Sequence, residues 1–393
     1  MVIYVHIPFC IRKCYYCDFL SGTYNEEKKS AYVISLLNEI EYYGKKYGKS
    51  GRDERINSVF FGGGTPSVLD GDVLCEILLK IKKEFSLEHT AEITVECNPG
   101  TVDRDKLSKY KEAGVNRLSI GLQSADDKEL ERIGRIHSYK QFLDAYNMAR
   151  QLGFENINID LMSALPGQTM ESYKDTIKKI LQLKPEHISA YSLILEEGTC
   201  LYDTVNRQLE QGVDTGLPDE DTEREMYYLT GRMLKEAGYN RYEISNYAKS
   251  GYECRHNTAY WRREDYIGMG IGAASCVDDV RTKNIDNIDK YIEIFDNIEG
   301  VRKNGALDND ETNHLTREDK MAEFMFLGLR MTEGISKVEF LKCFECDYDT
   351  IYGGVTKRLI EQRLLKENEK SQQISLTELG LDVSNSVMSE FLL

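Results

Sequence analysis

From residue 1 to about residue 195, short strand-like runs alternate with helical stretches, and few folds accommodate such a pattern. Val2 to Ile7 reads as a first strand, followed by a helix from about Glu27 to Tyr47, in which Tyr32, Leu36, Ile40 and Tyr43 recur at helical spacing. Ile56 to Phe61, Ala91 to Val95, Arg117 to Ile120, Ile157 to Leu161 and His187 to Leu193 read as five further strands. The helix between the second and third carries Val73, Ile77, Ile81 and Phe85. Gly114, Gly153 and Pro185 stop later helices. Strands joined through helices imply parallel pairing with crossovers. The expected class is α/β, a partial (β/α)6 barrel of parallel strands with crossover helices, without a convincing internal repeat.

The remainder is patterned differently. Residues 200–300 are less regular, with a long helix from Pro218 to near Gly238, a tyrosine-rich stretch and a glycine-rich segment, Gly268 to Ala274. From about Leu307 helices dominate, at Glu318 to Leu329, Lys337 to Cys343 and Val355 to Leu364, with two short strand-like pieces and a final helix. This reads as a small, mainly helical, winged-helix-like module, dividing the chain into 1–305 and 306–393. A wing need not mean DNA: residues 310–393 carry sixteen acidic and ten basic side chains, and the whole chain has a formal charge of −16. A polyanion is repelled on average, so no nucleic-acid partner is expected. No apolar run approaches the ~20 residues that cross a bilayer, and no secretory signal is evident. No membrane span is expected, with peripheral contact left open. Ten cysteines without an export signal fit reduced thiols in the cytoplasm.

Three of those cysteines follow the first strand as Cys10-x-x-x-Cys14-x-x-Cys17. Three thiolates this close can grip three corners of an iron–sulfur cube, leaving one iron open to a small molecule. No fourth cysteine is near, because position 19 is Phe19. His6 with the three sulfurs would also suffice for structural zinc. Against that, His6 lies inside the strand, whose backbone does not readily fold back onto the loop. In parallel α/β folds, ligands collect at the carboxyl ends of strands. There this chain places the cysteine loop, Gly62-Gly63-Gly64-Thr65-Pro66, Glu96, Gln123 and Asp160. The glycine run lacks the Lys-Ser/Thr of a phosphate loop and also fits a tight turn. Glu96, Gln123 and Asp160 each also fit a helix cap or a polar loop position.

Tyr4-Val5-His6-Ile7-Pro8-Phe9-Cys10 leading into Cys14 and Cys17, together with Gly62 to Pro66, resembles the radical S-adenosylmethionine superfamily. Further stretches are similar to one branch of it, which contains oxygen-independent coproporphyrinogen III dehydrogenase and a heme chaperone. They are Glu96 to Gly100, Arg117 to Ser124, Gly134 to Ser138, Asn158 to Leu161, Leu165 to Thr169 and Tyr242 to Ala248. The resemblance covers nearly the whole chain. It implies a [4Fe–4S] cluster on Cys10, Cys14 and Cys17, with S-adenosylmethionine bound at the open iron. By the family pattern, Tyr4, Tyr16, Gly63, Gly64, Thr65, Glu96, Gln123, Arg135 and Asp160 would hold that ligand, whose reductive cleavage gives a deoxyadenosyl radical. Glu96 and Asp160 can accept from amine or hydroxyl groups, and Arg135 can pair with a carboxylate.

Two features separate the branches. The dehydrogenase carries a further cysteine where this chain has Phe19, and an extension where only nine residues precede Cys10. His256-Asn257-Thr258-Ala259-Tyr260-Trp261 fits the His-Asn-x-x-Tyr-Trp signature of the chaperone branch. Read bare, such a histidine is a hydrogen-bonded core residue; with the signature it becomes a candidate axial ligand for heme iron, with Tyr260 and Trp261 packing on the porphyrin. Cys254 is another candidate ligand, and Arg262 and Arg263 could meet heme propionates or form a solvated pair. Cys343-x-x-Cys346 has metal spacing but no partner pair and reads as incidental. Ser163-Ala164-Leu165 departs from the branch pattern, in which a glycine commonly precedes the leucine. The resemblance thus implies a heme chaperone with a cluster and S-adenosylmethionine, passing heme to an acceptor protein. The alternative is oxidative decarboxylation of the porphyrinogen.

Overall fold

The computed structural model describes residues 1–296 and 311–393. Six parallel strands follow one another in chain order, each hydrogen-bonded to the next: β1 (Val2–Ile7), β2 (Arg55–Gly63), β3 (Ser86–Cys97), β4 (Arg117–Gln123), β5 (Ile157–Ser163) and β6 (His187–Ser192). Helices Glu26–Tyr47, Gly71–Glu84, Arg104–Ala113, Tyr139–Gln151 and Met170–Leu183 lie in the crossovers. Their starts are chemically marked: Asn25, Asp103, Ser138 and Thr169 each accept a backbone N–H of the first turn.

Successive strand residues face opposite ways. Ile3, Val5, Val59, Phe61, Val95, Leu118, Ile120, Ile159 and Ile188 join Leu36, Ile40, Leu74, Ile77, Phe142 and Ile177 of the helices in one core. Each such side chain contributes roughly 1.5–3 kcal/mol when buried. The intervening positions, among them Tyr4, Phe60, Glu96, Ser119, Gln123, Asp160 and Tyr191, face a cavity instead.

The sheet does not stop at β6. β7 (Asn240–Arg241) and β8 (Asn246–Ala248) extend it antiparallel beside β6. On the other side β9 (Tyr266–Met269) pairs parallel with β1, followed by β10 (Ala274–Val277), β11 (Val280–Lys283) and β12 (Glu311–His314). The segment expected to be irregular therefore supplies five strands, β7 to β11. None exceeds four residues, too short to display a period of two. The sheet remains open, with β7 and β12 at its edges.

The C-terminal module packs helices Arg317–Gly328, Lys337–Phe344 and Tyr348–Glu361 on a small antiparallel sheet of β13 (Ile335–Ser336), β14 (Leu365–Asn368) and β15 (Gln373–Leu376), in the order β13-β15-β14. Its own core includes Met325, Phe340, Tyr352, Ile374 and Phe391. The third helix starts seven residues before the expected Val355. Asp347 caps it by accepting from Thr350 N, and Gly353 and Gly354 interrupt the apolar period that would have revealed that first turn. The division expected at 305/306 falls outside the described residues; past it, β12 still pairs with β11 of the main sheet. Among the described residues no helix is long and apolar enough to cross a membrane.

Candidate functional site

The loop leaving β1 is pinned at several points. Cys10 N donates to Gly22 O and Gly22 N to Pro8 O, closing the loop at its base. Tyr15 N donates to Ile133 O, Leu201 N to Tyr15 O, and the Arg12 guanidinium to Gly134 O. His6 supplies an internal brace. Its Nε2 lies 2.8 Å from Leu20 O, which can only accept, so Nε2 carries the proton and Nδ1 accepts from Tyr4 OH at 3.1 Å. Both ring nitrogens are engaged, which removes His6 as a zinc ligand. Nor, among the described residues, do three His, Cys, Asp or Glu side chains converge on one metal ion. Sulfurs sharing one zinc sit within about 4 Å of each other, whereas a cube spreads its thiolates over separate irons. Cys10, Cys14 and Cys17 are free thiols, all partly buried on the same cavity wall. That donor set fits a cubane.

The glycine run docks on this loop. Gly64 N donates to Ile7 O at 2.9 Å and Thr65 N to Phe9 O at 2.8 Å. Gly63 has φ +109°, and a Cβ there would sit 2.5 Å from the His6 ring. A Cβ on Gly64 would lie 2.9 Å from Phe9 O. The run is bare because the brace and the loop backbone press against it.

The cavity has a volume of about 760 Å³. The three cysteines, Tyr4, Tyr16, Gly63, Gly64, Thr65, Glu96, Gln123, Arg135, Asp160 and His256 all line it. Arg135 ties three walls together, donating to Asn98 Oδ1 (2.7 Å), Gly121 O (2.6 Å) and Cys14 Sγ (3.7 Å). Gln123 stands at a bulge between β4 and β5 with φ +70°, a left-handed backbone that turns its amide into the space. Enclosure, then the nearby Asp160 carboxylate, pushes the Glu96 carboxyl up to about 8. Burial also raises Asp160, against hydrogen bonds from Asn158 Nδ2 (2.7 Å) and Ser119 Oγ (3.4 Å). Two carboxyls held in this way suit a cationic ligand, which would be bound with release of a proton.

Several wall residues were not singled out in the sequence. Asn98 bridges Thr65 Oγ1 (2.9 Å) to Arg135. Below the strand ends lies a deeper polar layer that includes Arg117, Ser119, Asn158, Ser189 and Asn246. The signal for it was the alternation Arg117-Leu118-Ser119-Ile120, in which polar residues occupy the face opposite the core.

The signature helix, Arg255–Trp261, distributes its residues unequally. His256 is 2% exposed and lies parallel to Phe60, ring centroids 5.0 Å apart, with Tyr260 edge-on at 5.0 Å. Its Nδ1 bonds Ser58 Oγ at 2.9 Å, and its Nε2 has no partner. Burial, then the charge of Arg117, pushes this imidazole down to about 3, so it is neutral. Tyr260 lines the cavity, but Trp261 does not. It packs under Arg330, 4.3 Å from the indole centroid, in a separate crevice beside the C-terminal module. Cys254 is fully buried against Glu92 and away from the cavity. Arg262 pairs with Glu333, and Arg263 with Glu323 and Asp279. The expectations of Trp261 on a porphyrin face, Cys254 as a ligand and these arginines at propionates are thus corrected: helical geometry turns them away and local partners occupy them. Cys343 and Cys346 are free.

Comparison with known proteins follows the same lines. Residues 4–180 match the radical SAM superfamily and residues 315–383 the HemN C-terminal domain. Over 99% of its length the chain is 36% identical to the heme chaperone HemW of Lactococcus lactis, covering 97% of that protein, and 37% identical to that of Bacillus subtilis, covering 98%. The chain belongs to the HemW family of radical SAM proteins. The HemW protein of Escherichia coli is 35% identical over 99% of this chain and 97% of its own. Among solved structures, coproporphyrinogen III oxidase (HemN) from Escherichia coli, a radical SAM enzyme, superposes with a TM-score of 0.81. That match is 22% identical and covers 100% of this chain and 89% of the other, so it speaks for the fold. A [4Fe–4S] cluster and S-adenosylmethionine are what radical SAM membership implies for a HemW-family cavity built on Cys10, Cys14 and Cys17.

Proposed function

We propose that this protein is a heme chaperone, holding a [4Fe–4S] cluster on Cys10, Cys14 and Cys17 with S-adenosylmethionine beside it, and passing heme to an acceptor protein. The observation that carries the reading is the shared space. Three thiols, a carboxyl pair and His256, whose buried Nε2 has no partner, line one cavity in a chain of the HemW family. The bound cluster would supply the electron that breaks a sulfonium carbon–sulfur bond. Tyr4, Tyr16, Gly63, Gly64, Thr65, Glu96, Gln123, Arg135 and Asp160 would hold S-adenosylmethionine. Glu96 and Asp160 would take its cationic and hydroxyl groups, and the Arg135 guanidinium would face its carboxylate.

For heme, His256 is the ligand we assign. With Nδ1–H donating to Ser58 Oγ, the neutral imidazole would be held in place and its unpartnered Nε2 would have a lone pair for iron. Phe60 and Tyr260 give that end of the cavity an aromatic wall. The acceptor in this reading is a protein, and the compartment it calls for is the cytoplasm, where reducing conditions keep thiol ligands available.

The test is quantification of iron, acid-labile sulfide and heme on anaerobically reconstituted protein, with heme titrated into the parent and into His256→Ala. Iron and sulfide near four per chain, and heme uptake lost in the variant, are expected. A parent that takes up no heme overturns the reading. Protoporphyrinogen formed from coproporphyrinogen III would replace it with the enzyme.

A further inference from the structure

Arg117 opens β4, two-hundredths exposed, and its side chain reaches the floor of the cavity. A buried guanidinium normally spends its five N–H donors on carboxylates and carbonyls. The other cavity arginines do so: Arg12 bonds Gly134 O, and Arg135 bonds Asn98, Gly121 and Cys14. Arg262 and Arg263 are paired with carboxylates outside the cavity. Among the described residues the Arg117 guanidinium has no such ion pair or hydrogen bond, and its Nε is sealed from solvent without a partner. The nearest carboxylates feel its charge but are committed elsewhere. Glu92 receives N–H groups of Arg255 and His256 and the Cys254 thiol, and Asp160 receives Asn158 and Ser119.

A desolvated, unpaired cation is among the costliest arrangements in a protein interior. It is tolerated where a ligand brings the counter-charge. We propose that Arg117 forms an anion subsite at the cavity floor, which takes a carboxylate of the ligand whose iron is held by His256, a heme propionate. This deepens the heme-chaperone reading and rests on it. Guanidinium and carboxylate match in a two-pronged geometry. His256 stands close enough for the Arg117 charge to act on its ring. Iron at Nε2 and a propionate on Arg117 would fix the porphyrin at two points, with a propionate directed into the protein.

The experiment compares heme with heme dimethyl ester, in which both propionates are neutral, by absorbance titration of the full chain. For the parent, esterification is expected to weaken binding roughly 10- to 100-fold, the range of a charge-assisted hydrogen bond. Arg117→Met should bind heme that much more weakly and show no further penalty for the ester, while Arg262→Gln should behave as the parent. A parent that binds both forms equally, or an Arg117→Met variant that keeps the full ester penalty, overturns the subsite. Should Arg117→Met not fold, Arg117→Lys decides, because an ammonium makes fewer contacts: a reduced ester penalty supports the subsite, an unchanged one overturns it. If the parent takes up no heme, the chaperone reading fails separately. Fluorescence titration with iron-free coproporphyrin then judges the floor by itself: uptake that Arg117→Met weakens keeps the carboxylate subsite, and no uptake removes it.

Discussion

Gly63 leaves no room for a side chain, since a Cβ there would fall 2.5 Å from the imidazole that braces the cysteine loop. Gly63→Ala must displace His6 and also strains a backbone at φ +109°. The expected cost is about 2 kcal/mol, read as a lower denaturant midpoint, together with reduced iron content after reconstitution. Glu96 makes a second prediction. Its carboxyl keeps a proton to about 8 in the folded chain, against 4.5 for the free group. Between those values the folded protein binds more protons than the unfolded one, so its contribution to stability is present at low pH and is lost as pH rises. Glu39, raised to about 7, adds to the same slope. Thermal midpoints of the parent minus those of Glu96→Gln, measured without ligand from pH 5 to 8, should therefore fall with rising pH. A flat difference would exclude the shift. At this scale the sequence was informative where spacing encodes chemistry, as in the cysteine triplet, and silent where contacts decide. The imidazole of His6 is a loop brace because Tyr4 OH, two residues away on the same face of the strand, and Leu20 O, fourteen residues on, both meet it, and the second contact exists only once the loop has folded back. Ala164, standing where the branch commonly has glycine, adopts φ +59°, so the loop keeps the left-handed turn despite the methyl group.

The strands carry two messages at once. One face was legible through short apolar runs, whose alternation with helices implied six parallel strands. The other face reads polar in a sheet covered by helices, and that pattern encodes a lined chamber rather than a packed barrel interior. It was legible only at the strand ends, since Ser58, Arg117 and Asn158 look like ordinary strand polars until the neighbours close around them. The four-residue strands β9 to β12 could not be read, because pairing rather than local preference makes them. Ser58, fully buried on β2, holds the signature helix directly through His256. Ser58→Ala leaves the buried His256 Nδ1 without its partner and should cost about 1–3 kcal/mol, measured by chemical denaturation. Heme affinity should fall as well, because the ring is no longer oriented.

For the molecule as a whole, the C-terminal module is joined to the sheet through charge as well as packing. Glu323 on the first module helix is 5% exposed and lies between Arg263 and Arg281, while Lys320 reaches Asp279. Thr332 N adds a hydrogen bond to Tyr242 O. Glu323→Ala removes the carboxylate that both sheet-side guanidinium groups reach across the joint and should cost about 3 kcal/mol, seen as an earlier unfolding transition and new protease cleavage next to residue 317. That the C-terminal stretch is mainly helical was legible from its periodicity; how it is fastened to the sheet was not, because Arg263, Arg281 and Glu323 meet only after folding. The polar chamber has one last implication. Beside its core of packed methyl groups this domain faces dipoles and charges into a chamber, so a ligand of matching charge would tighten the fold, and its departure would leave the protein looser.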